Sequence, residues 1–278
     1  MQRLYILLIL VVCFTTTRSQ EIIAGTYNIR LQTTADSGNL WVNRAPAVAA
    51  LLKFHEFDVF GTQEGFRNQL IDIQRSLPGF DFYGAGRDDG KEKGESSAIF
   101  YRKERFNLLD KGDFWLSETP DQPSKGWDGK CCNRICSWVH LEDKKTGKRF
   151  YYFSAHYDHE GTTARLESSK LILQRMQAIC GGAPAIFCGD LNCGQQTAPY
   201  LTITNSGYLS DSFRKANFPY STNGTFNDFG KNITGSDIID HIFITDHFIV
   251  SKWGILSDSY YGKYPSDHFP VMAELRFK

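Results

Sequence analysis

Short apolar runs that meet carboxylate, amide or imidazole side chains recur six times in this chain of 278 residues. That repetition constrains the fold to one whose strands carry polar groups to a common edge. The clearest case is Ala183-Pro184-Ala185-Ile186-Phe187-Cys188, which reads as a buried strand and leads into Gly189-Asp190-Leu191-Asn192. Side chains alternate along a strand with period two, so Asp190 and Asn192 are expected to point the same way. One offers an anionic oxygen for a water or metal, the other a neutral amide for a phosphoryl oxygen. By itself Gly-Asp-x-Asn is equally well a turn. Near the C-terminus Ser266-Asp267-His268 opens the last apolar segment, setting a carboxylate and an imidazole where a loop enters a strand. Asn28, Glu64, His156 with Asp158, and Asp240 repeat the pattern.

The chain order reads as strand, helix, strand, helix and several strands, repeated once with variation. Glu21 to Tyr27 alternates as a strand, and Arg44 to Phe57 places Val48, Leu51, Leu52 and His55 on one helical face. A strand from Val59 to Thr62, a helix from Asn68 to Leu77, and strands at Ala98–Tyr101 and Phe106–Phe114 come next. In the second half, Ser137–Leu141 and Arg149–Ala155 form a hairpin around Lys144-Lys145-Thr146-Gly147. Arg165 to Cys180 is a helix with Leu166, Leu173, Met176 and Ile179 inward; strands at Ala185–Cys188, Ile238–Ile244, Ile249–Ile255 and Val271–Phe277 complete the sheets. No Pro/Gly/Ser linker divides the chain, so residues 20–278 are expected to form a single domain of the α/β class with two packed sheets.

Residues 1–19 have a short basic start, an apolar core from Leu4 to Phe14 and a polar end at Ser19. That is the shape of a secretory signal peptide, too short for a comfortable membrane span. The mature protein is therefore expected to be exported, to the periplasm or beyond, and to act as a monomer. Setting Cys13 aside, six cysteines remain, and an even number in an exported chain permits disulfides. A local bridge involving Cys136 is expected, whereas Cys188 reads as a small buried hydrophobe.

The motifs Thr26-Tyr27-Asn28-Ile29-Arg30, Thr62-Gln63-Glu64, Ser154-Ala155-His156, Gly189-Asp190-Leu191-Asn192, Ile239-Asp240-His241-Ile242-Phe243 and Ser266-Asp267-His268 resemble, in order, those of the endonuclease/exonuclease/phosphatase superfamily. The resemblance spans essentially the whole mature chain. It implies a four-layer α/β sandwich, two mostly antiparallel sheets flanked by helices, with the site at one edge. It also implies phosphate-ester hydrolysis with Mg²⁺ or Mn²⁺. The substrate stays open, because the superfamily includes nucleases, inositol phosphatases, sphingomyelinases and deadenylases.

Hydrolysis of a phosphate ester needs a positioned water, charge neutralisation and a stabilised leaving group. Glu64 is the expected primary ligand of a hard ion, with Asn28 orienting and Asp267 alongside. Asp190 would orient or deprotonate the water and Asn192 would hold a non-bridging oxygen. His268, oriented by Asp240, would bind the phosphoryl group or manage its proton. His156 is the second histidine, and the resemblance to the deoxyribonuclease I branch implies Glu95 as its carboxylate partner. Asp158 and His159 extend the His156 motif; they either contact substrate or metal, or form a polar turn.

Between Phe114 and Arg134 lies a long loop that resembles an often exported bacterial branch of the superfamily. Arg134 is a candidate phosphate clamp and Trp127 a candidate stacking surface, with loop packing the alternative for both tryptophans. Lys plus Arg equals Asp plus Glu at 31 each, so there is no net field for a polyanion. Tight nonspecific nucleic-acid binding draws on just such a field, which disfavours a nuclease without excluding a local basic groove. The expected partner is thus a small phosphate ester: a phosphodiester, sugar phosphate or lipid headgroup. A fold that retains binding without catalysis is the other class, disfavoured because every expected catalytic residue type is present.

Overall fold

The computed structural model describes residues 21–220 and 223–278; the expected signal peptide lies outside the described residues. In chain order the first half comprises β1 (Glu21–Asn28), α1 (Trp41–Phe54), β2 (Val59–Gln63), α2 (Arg67–Ser76), β3 (Phe80–Tyr83), β4 (Ile99–Arg102) and β5 (Phe106–Trp115). It continues through β6 (Ile135–Asp143), β7 (Arg149–His156), α3 (Thr162–Cys180), β8 (Ala185–Asp190), α4 (Ala198–Thr204), β9 (Ser210–Asp211), α5 (Ser212–Lys215), β10 (Ala216–Tyr220), β11 (Asp240–Ile244), β12 (Phe248–Ile255) and β13 (Val271–Phe277).

Two sheets result, one of seven strands in the order β10-β12-β13-β1-β2-β4-β3 and one of six in the order β5-β6-β7-β8-β11-β9. Their facing sides bury Ile22, Val59, Ile99, Val139, Ile186, Ile242 and Val271. On the outer face of the first sheet, Phe60, Phe100 and Tyr27 pack with Leu51, Leu52 and Leu70 from α1 and α2. Phe153, Phe187 and Phe243 on the second sheet pack with Ile172, Met176 and Ile203 from α3 and α4. This gives the expected four layers. Each fully buried apolar side chain contributes about 1.5–3 kcal/mol, so most of the stability lies in these three layers of contact.

The sheets approach closely at Gly61, where an added Cβ would lie 2.6 Å from both Cys188 Sγ and Ser154 Oγ of the opposite sheet. Beside the site, a Cβ on Gly189 would lie 2.0 Å from Ala155 O. Only glycine lets β8 run against β7 there, and so brings Asp190 level with His156.

Some local expectations are corrected. Helix α1 starts at Trp41 because the buried indole bonds Asp72 at 2.9 Å, and it stops early because Glu56 takes a left-handed φ of 54°. The inward face of α3 is Ala164, Ser168, Ile172, Met176 and Cys180, with Leu166, Leu173 and Ile179 on the half-buried flanks. Asx-like and helical turns after β8 hide α4 and β9 from a pattern search. All six described cysteines are free: Cys136 is buried within β6 and forms no bridge. No described helix is long and apolar enough to cross a membrane.

Candidate active site

Strand register assembles the centre. In the second sheet His156 of β7 pairs with Asp190 of β8, and Asp190 in turn pairs with Asp240 of β11. Three ionisable side chains therefore stand in one row at the strand ends. In the first sheet Asn28 ends β1 beside Gln63, immediately before Glu64, and His268 precedes β13, the other neighbour of β1. The two sheets end together, so residues from both line one cavity of about 400 Å³.

The carboxylates are held by specific donors. Asn28 Nδ2 donates to Glu64 Oε1 and to Asp190 Oδ2, each at 3.0 Å, while its Oδ1 accepts from Arg30 N. Asn28 thus orients two carboxylates at once. Asp190 Oδ1 accepts the Asn192 backbone N–H at 2.9 Å. Asp190 and Asn192 do face one cavity, but not through strand pleating: β8 ends at Asp190, and Asn192 turns with φ 48°. Arg30 and Glu64 are also left-handed, at φ 57° and 65°. Such conformations cost about 1–3 kcal/mol each and gather where side chains must be aimed.

His268 Nδ1 donates to Asp240 Oδ2 at 2.8 Å, leaving Nε2 on the side of Asp190, 3.8 Å from its Oδ2. Burial alone would lower the His268 pKa, but the carboxylates of Asp240 and Asp190 hold it well above the ordinary value. It is an imidazolium near neutrality. Burial and the nearby Asp240 charge push Asp190 up to about 7, against the pull of His268. His156 goes the opposite way: burial, then the Arg134 and Arg87 charges, keep it neutral. Asn192 Nδ2 donates to His156 Nε2 at 3.1 Å and to Tyr157 O at 3.0 Å. Asn192 lines the cavity with its amide nitrogen held between the imidazole and a backbone carbonyl.

Glu64 and Asp267 both reach the cavity, and Arg30 lies between them, 3.8 Å from Glu64 Oε2 and 3.7 Å from Asp267 Oδ2. Burial raises the Asp267 pKa and Glu64 adds to it, while His268 and Arg30 oppose. A buried carboxylate beside a second one forms the oxygen-rich setting a hard divalent cation relieves. Asp190, Asp240 and His268 also place one donor atom each within 4.8 Å of one another. His268 and Asp240 are bonded to each other, whereas Glu64 and Asp267 offer the cavity carboxylate oxygens that also accept Asn28 Nδ2, Leu31 N and Ser266 Oγ.

Other candidate residues are placed differently from expectation. Glu95 lines the cavity but pairs with Arg87, Oε2 to Nη1 at 2.6 Å, and not with His156. Asp158 closes the turn that precedes α3, its Oδ1 accepting Glu160 N and Gly161 N, and its Oδ2 faces Arg134 Nε at 3.4 Å. Burial pushes its pKa up, but those N–H groups and Arg134 outweigh it and hold it below the ordinary range. It is the polar turn of the two alternatives. Arg134 lines the cavity yet is itself buried, with Nη2 on His159 Nδ1 at 2.7 Å, so it cannot swing as a free clamp. Trp127 does not line the cavity; its backbone N–H bonds Glu118, and it belongs to the loop's own packing.

Three arginines were not singled out by pattern. Arg30 and Arg87 line the cavity, and Arg44 lies behind it. Arg44 is fully buried and donates to the carbonyls of Asn39, Ile29, Pro265 and Arg30 at 2.7–3.0 Å. It ties the segment after Asn28 to the one before Asp267. Its sequence signal is weak, since a basic residue early in an amphipathic helix normally faces solvent.

Comparison with known proteins agrees with this geometry. The family model described as "Endonuclease/Exonuclease/phosphatase family" matches residues 25–268. A crystal structure of an endonuclease/exonuclease/phosphatase family protein from Bacteroides thetaiotaomicron is 46% identical, with a TM-score of 0.90, covering 93% of this chain and 98% of that one. The mannosyl-6-phosphatase of Bacteroides thetaiotaomicron VPI-5482 is also 46% identical at TM-score 0.90, covering 92% of this chain and 100% of its own. A family member from Bacteroides vulgatus is 36% identical, with a TM-score of 0.88, over 93% and 99% of the two chains. With strand register, cavity and sequence match in agreement, the chain belongs to the endonuclease/exonuclease/phosphatase family.

Proposed function

We propose that this protein is an exported, divalent-metal-dependent phosphatase acting on the phosphate monoester of a sugar. The observation that carries the reading is the pairing of a raised Asp190 with an imidazolium His268 in a cavity of about 400 Å³. That volume falls in the range of small-molecule sites, about 300–1,000 Å³. The likeness to a mannosyl-6-phosphatase over nearly the full length of both chains supports a hexose phosphate. Zero formal net charge weighs against a substrate that must be held by many phosphates. Export rests on the pattern of residues 1–19.

Each step of the reaction falls to particular residues. Asp190, with a pKa of about 7, takes a proton from the attacking water, a base matched to neutral pH. Asn28 Nδ2 and the Asn192 backbone N–H fix that carboxylate in position. His268 presents its Nε2 proton to the phosphoryl oxygens, and Asp240 stabilises the charge from behind. Neutral His156 lies on the other side of Asp190, its Nε2 3.5 Å from Oδ2. A divalent ion such as Mg²⁺ or Mn²⁺, held by Glu64 and Asp267, would neutralise phosphoryl charge when bound.

The test is a kinetic screen of the mature protein against hexose 6-phosphates, other monoesters, phosphodiesters, RNA and plasmid DNA, with Mg²⁺ and with chelator. The highest kcat/KM is expected for a hexose phosphate, with turnover lost in chelator. Plasmid cleavage that outpaces every monoester and disappears in Asp190→Ala would overturn the reading in favour of a nuclease.

A further inference from the structure

A second cavity, of about 620 Å³, lies between the start of α3 and the turn that joins β8 to α4. Asn192 and Ile239 line both it and the catalytic cavity, so the two adjoin at those side chains. Its size falls in the small-molecule range, about 300–1,000 Å³. It is open to solvent, with the exposed side chains of Thr162 and Asp237 on its rim. None of the reaction steps above uses it.

Arg165 and Asp237 set its chemistry. Arg165 Nη1 donates to Asp158 O at 3.0 Å, which places the guanidinium and leaves its other nitrogens without a described partner. Neither Arg165 nor Asp237 forms an ion pair, with the other or with any described residue. One positive and one negative charge on the same cavity favour neither an anion nor a cation. Together they offer N–H donors to hydroxyl oxygens and carboxylate acceptors to hydroxyl protons, the pairing that a neutral polyhydroxylated ligand satisfies. Leu166, Pro199 and Ile239 supply apolar surface for the C–H faces of a sugar ring. No aromatic ring is among the lining residues, so a nucleobase finds nothing to stack on.

We propose that this cavity is a sugar subsite that takes a second, neutral ring linked to the phosphorylated one, so that the substrate is a phosphorylated oligosaccharide. The inference rests on the sugar-phosphate reading above and extends it past the first ring. With the phosphoryl group against Asp190 and His268, the rest of the molecule crosses Asn192 and Ile239 and meets Arg165 and Asp237. Gly194 gives a steric handle on the subsite that leaves the catalytic residues alone. A Cβ there would meet nothing closer than the Asp237 side chain at 3.7 Å, and the residue has no left-handed φ, so a large side chain at 194 grows into the cavity without straining the backbone.

The experiment compares turnover of mannose 6-phosphate with that of α1,2-, α1,3- and α1,6-mannobioses phosphorylated at C6 of the non-reducing ring, and measures binding of the neutral methyl mannobiosides to the mature protein by calorimetry. In the wild type the best phosphorylated mannobiose is expected to exceed mannose 6-phosphate at least tenfold in kcat/KM, through a lower KM. Gly194→Phe should remove that advantage and the mannobioside binding, while kcat/KM for mannose 6-phosphate changes less than twofold. Asp237→Asn, a nearly isosteric change at an exposed position, should weaken the mannobioside at least fivefold; it decides the matter should Gly194→Phe fail to fold. Equal kcat/KM for mono- and disaccharide in the wild type, or an advantage that survives Gly194→Phe, or unchanged mannobioside affinity in Asp237→Asn, would overturn the subsite. Failure of the phosphatase reading is a different result: no turnover of any phosphorylated sugar by the wild type, while calorimetry still reads the neutral glycosides.

Discussion

Asn28 Nδ2 lies 3.0 Å from Asp190 Oδ2, a hydrogen bond between residues 162 positions apart that joins the two sheets at the cavity. The same nitrogen holds Glu64 Oε1, so one neutral amide fixes both the candidate base and the candidate metal ligand.

Asn28→Ala should therefore damage both catalysis and stability. Two hydrogen bonds to charged groups are lost, each worth about 1.5–3 kcal/mol. Steady-state kinetics should show kcat down by about tenfold to several hundredfold. An unchanged kcat would remove Asn28 from the positioning of Asp190.

Asp190→Asn should abolish turnover yet raise thermal stability in chelator at pH 8. The folded pKa of Asp190, about 7, lies above its unfolded value. Its ionisation therefore opposes folding increasingly as pH rises from the ordinary carboxylate range to about 7, and the opposition is largest above that. Thermal melts at pH 4 and pH 8 test the sign: the variant's advantage should shrink at the lower pH. In the wild type the same titration should place the acid limb of kcat/KM near neutrality.

Asp240→Asn should lower kcat far more than it changes KM, because the amide fills the space without stabilising an imidazolium. Asp240 helps hold the His268 pKa above its ordinary value, so its loss should move the alkaline limb of the pH profile to lower pH. A full pH–rate profile of both proteins reads this. An unmoved limb with normal turnover would break the assignment.

Glu64→Gln should weaken Mg²⁺ binding in calorimetric titration while leaving the melting temperature nearly unchanged, since the side chain is at the cavity and not in the core. Chelation should remove activity from the wild type, and added Mg²⁺ or Mn²⁺ should restore it. Undiminished affinity in the variant would move the ion to another donor set.

Arg44→Met should destabilise by about 2–4 kcal/mol in urea denaturation. Four buried carbonyls lose their donor, and each unsatisfied group costs about 1–3 kcal/mol, offset in part by relief of the buried charge. Activity should fall with it, because the released segments carry Asn28 and Asp267.

Hydrophobic period and polar punctuation determined much of this protein in the sequence itself. Val271–Phe277 is a strand with the expected bounds, β6 and β7 form the expected hairpin, and Asn28, Glu64, His156, Asp190, Asp267 and His268 all reach the cavity region from strand ends. Those features are local: a run of apolar residues fixes a strand, and the polar residue at its end is delivered to the sheet edge. Tertiary structure decided the partners. Glu95 faces Arg87 and not His156, the Asn192 amide meets an imidazole and a backbone carbonyl, Asp158 closes the turn before α3, and Cys136 is buried without a bridge. Which donor meets which acceptor depends on strand register across two sheets and on left-handed turns at Arg30, Glu64 and Asn192, which redirect side chains over a few ångströms. Arg44 was hidden for the same reason: the carbonyls it binds, from Ile29 to Pro265, converge only when the chain has folded.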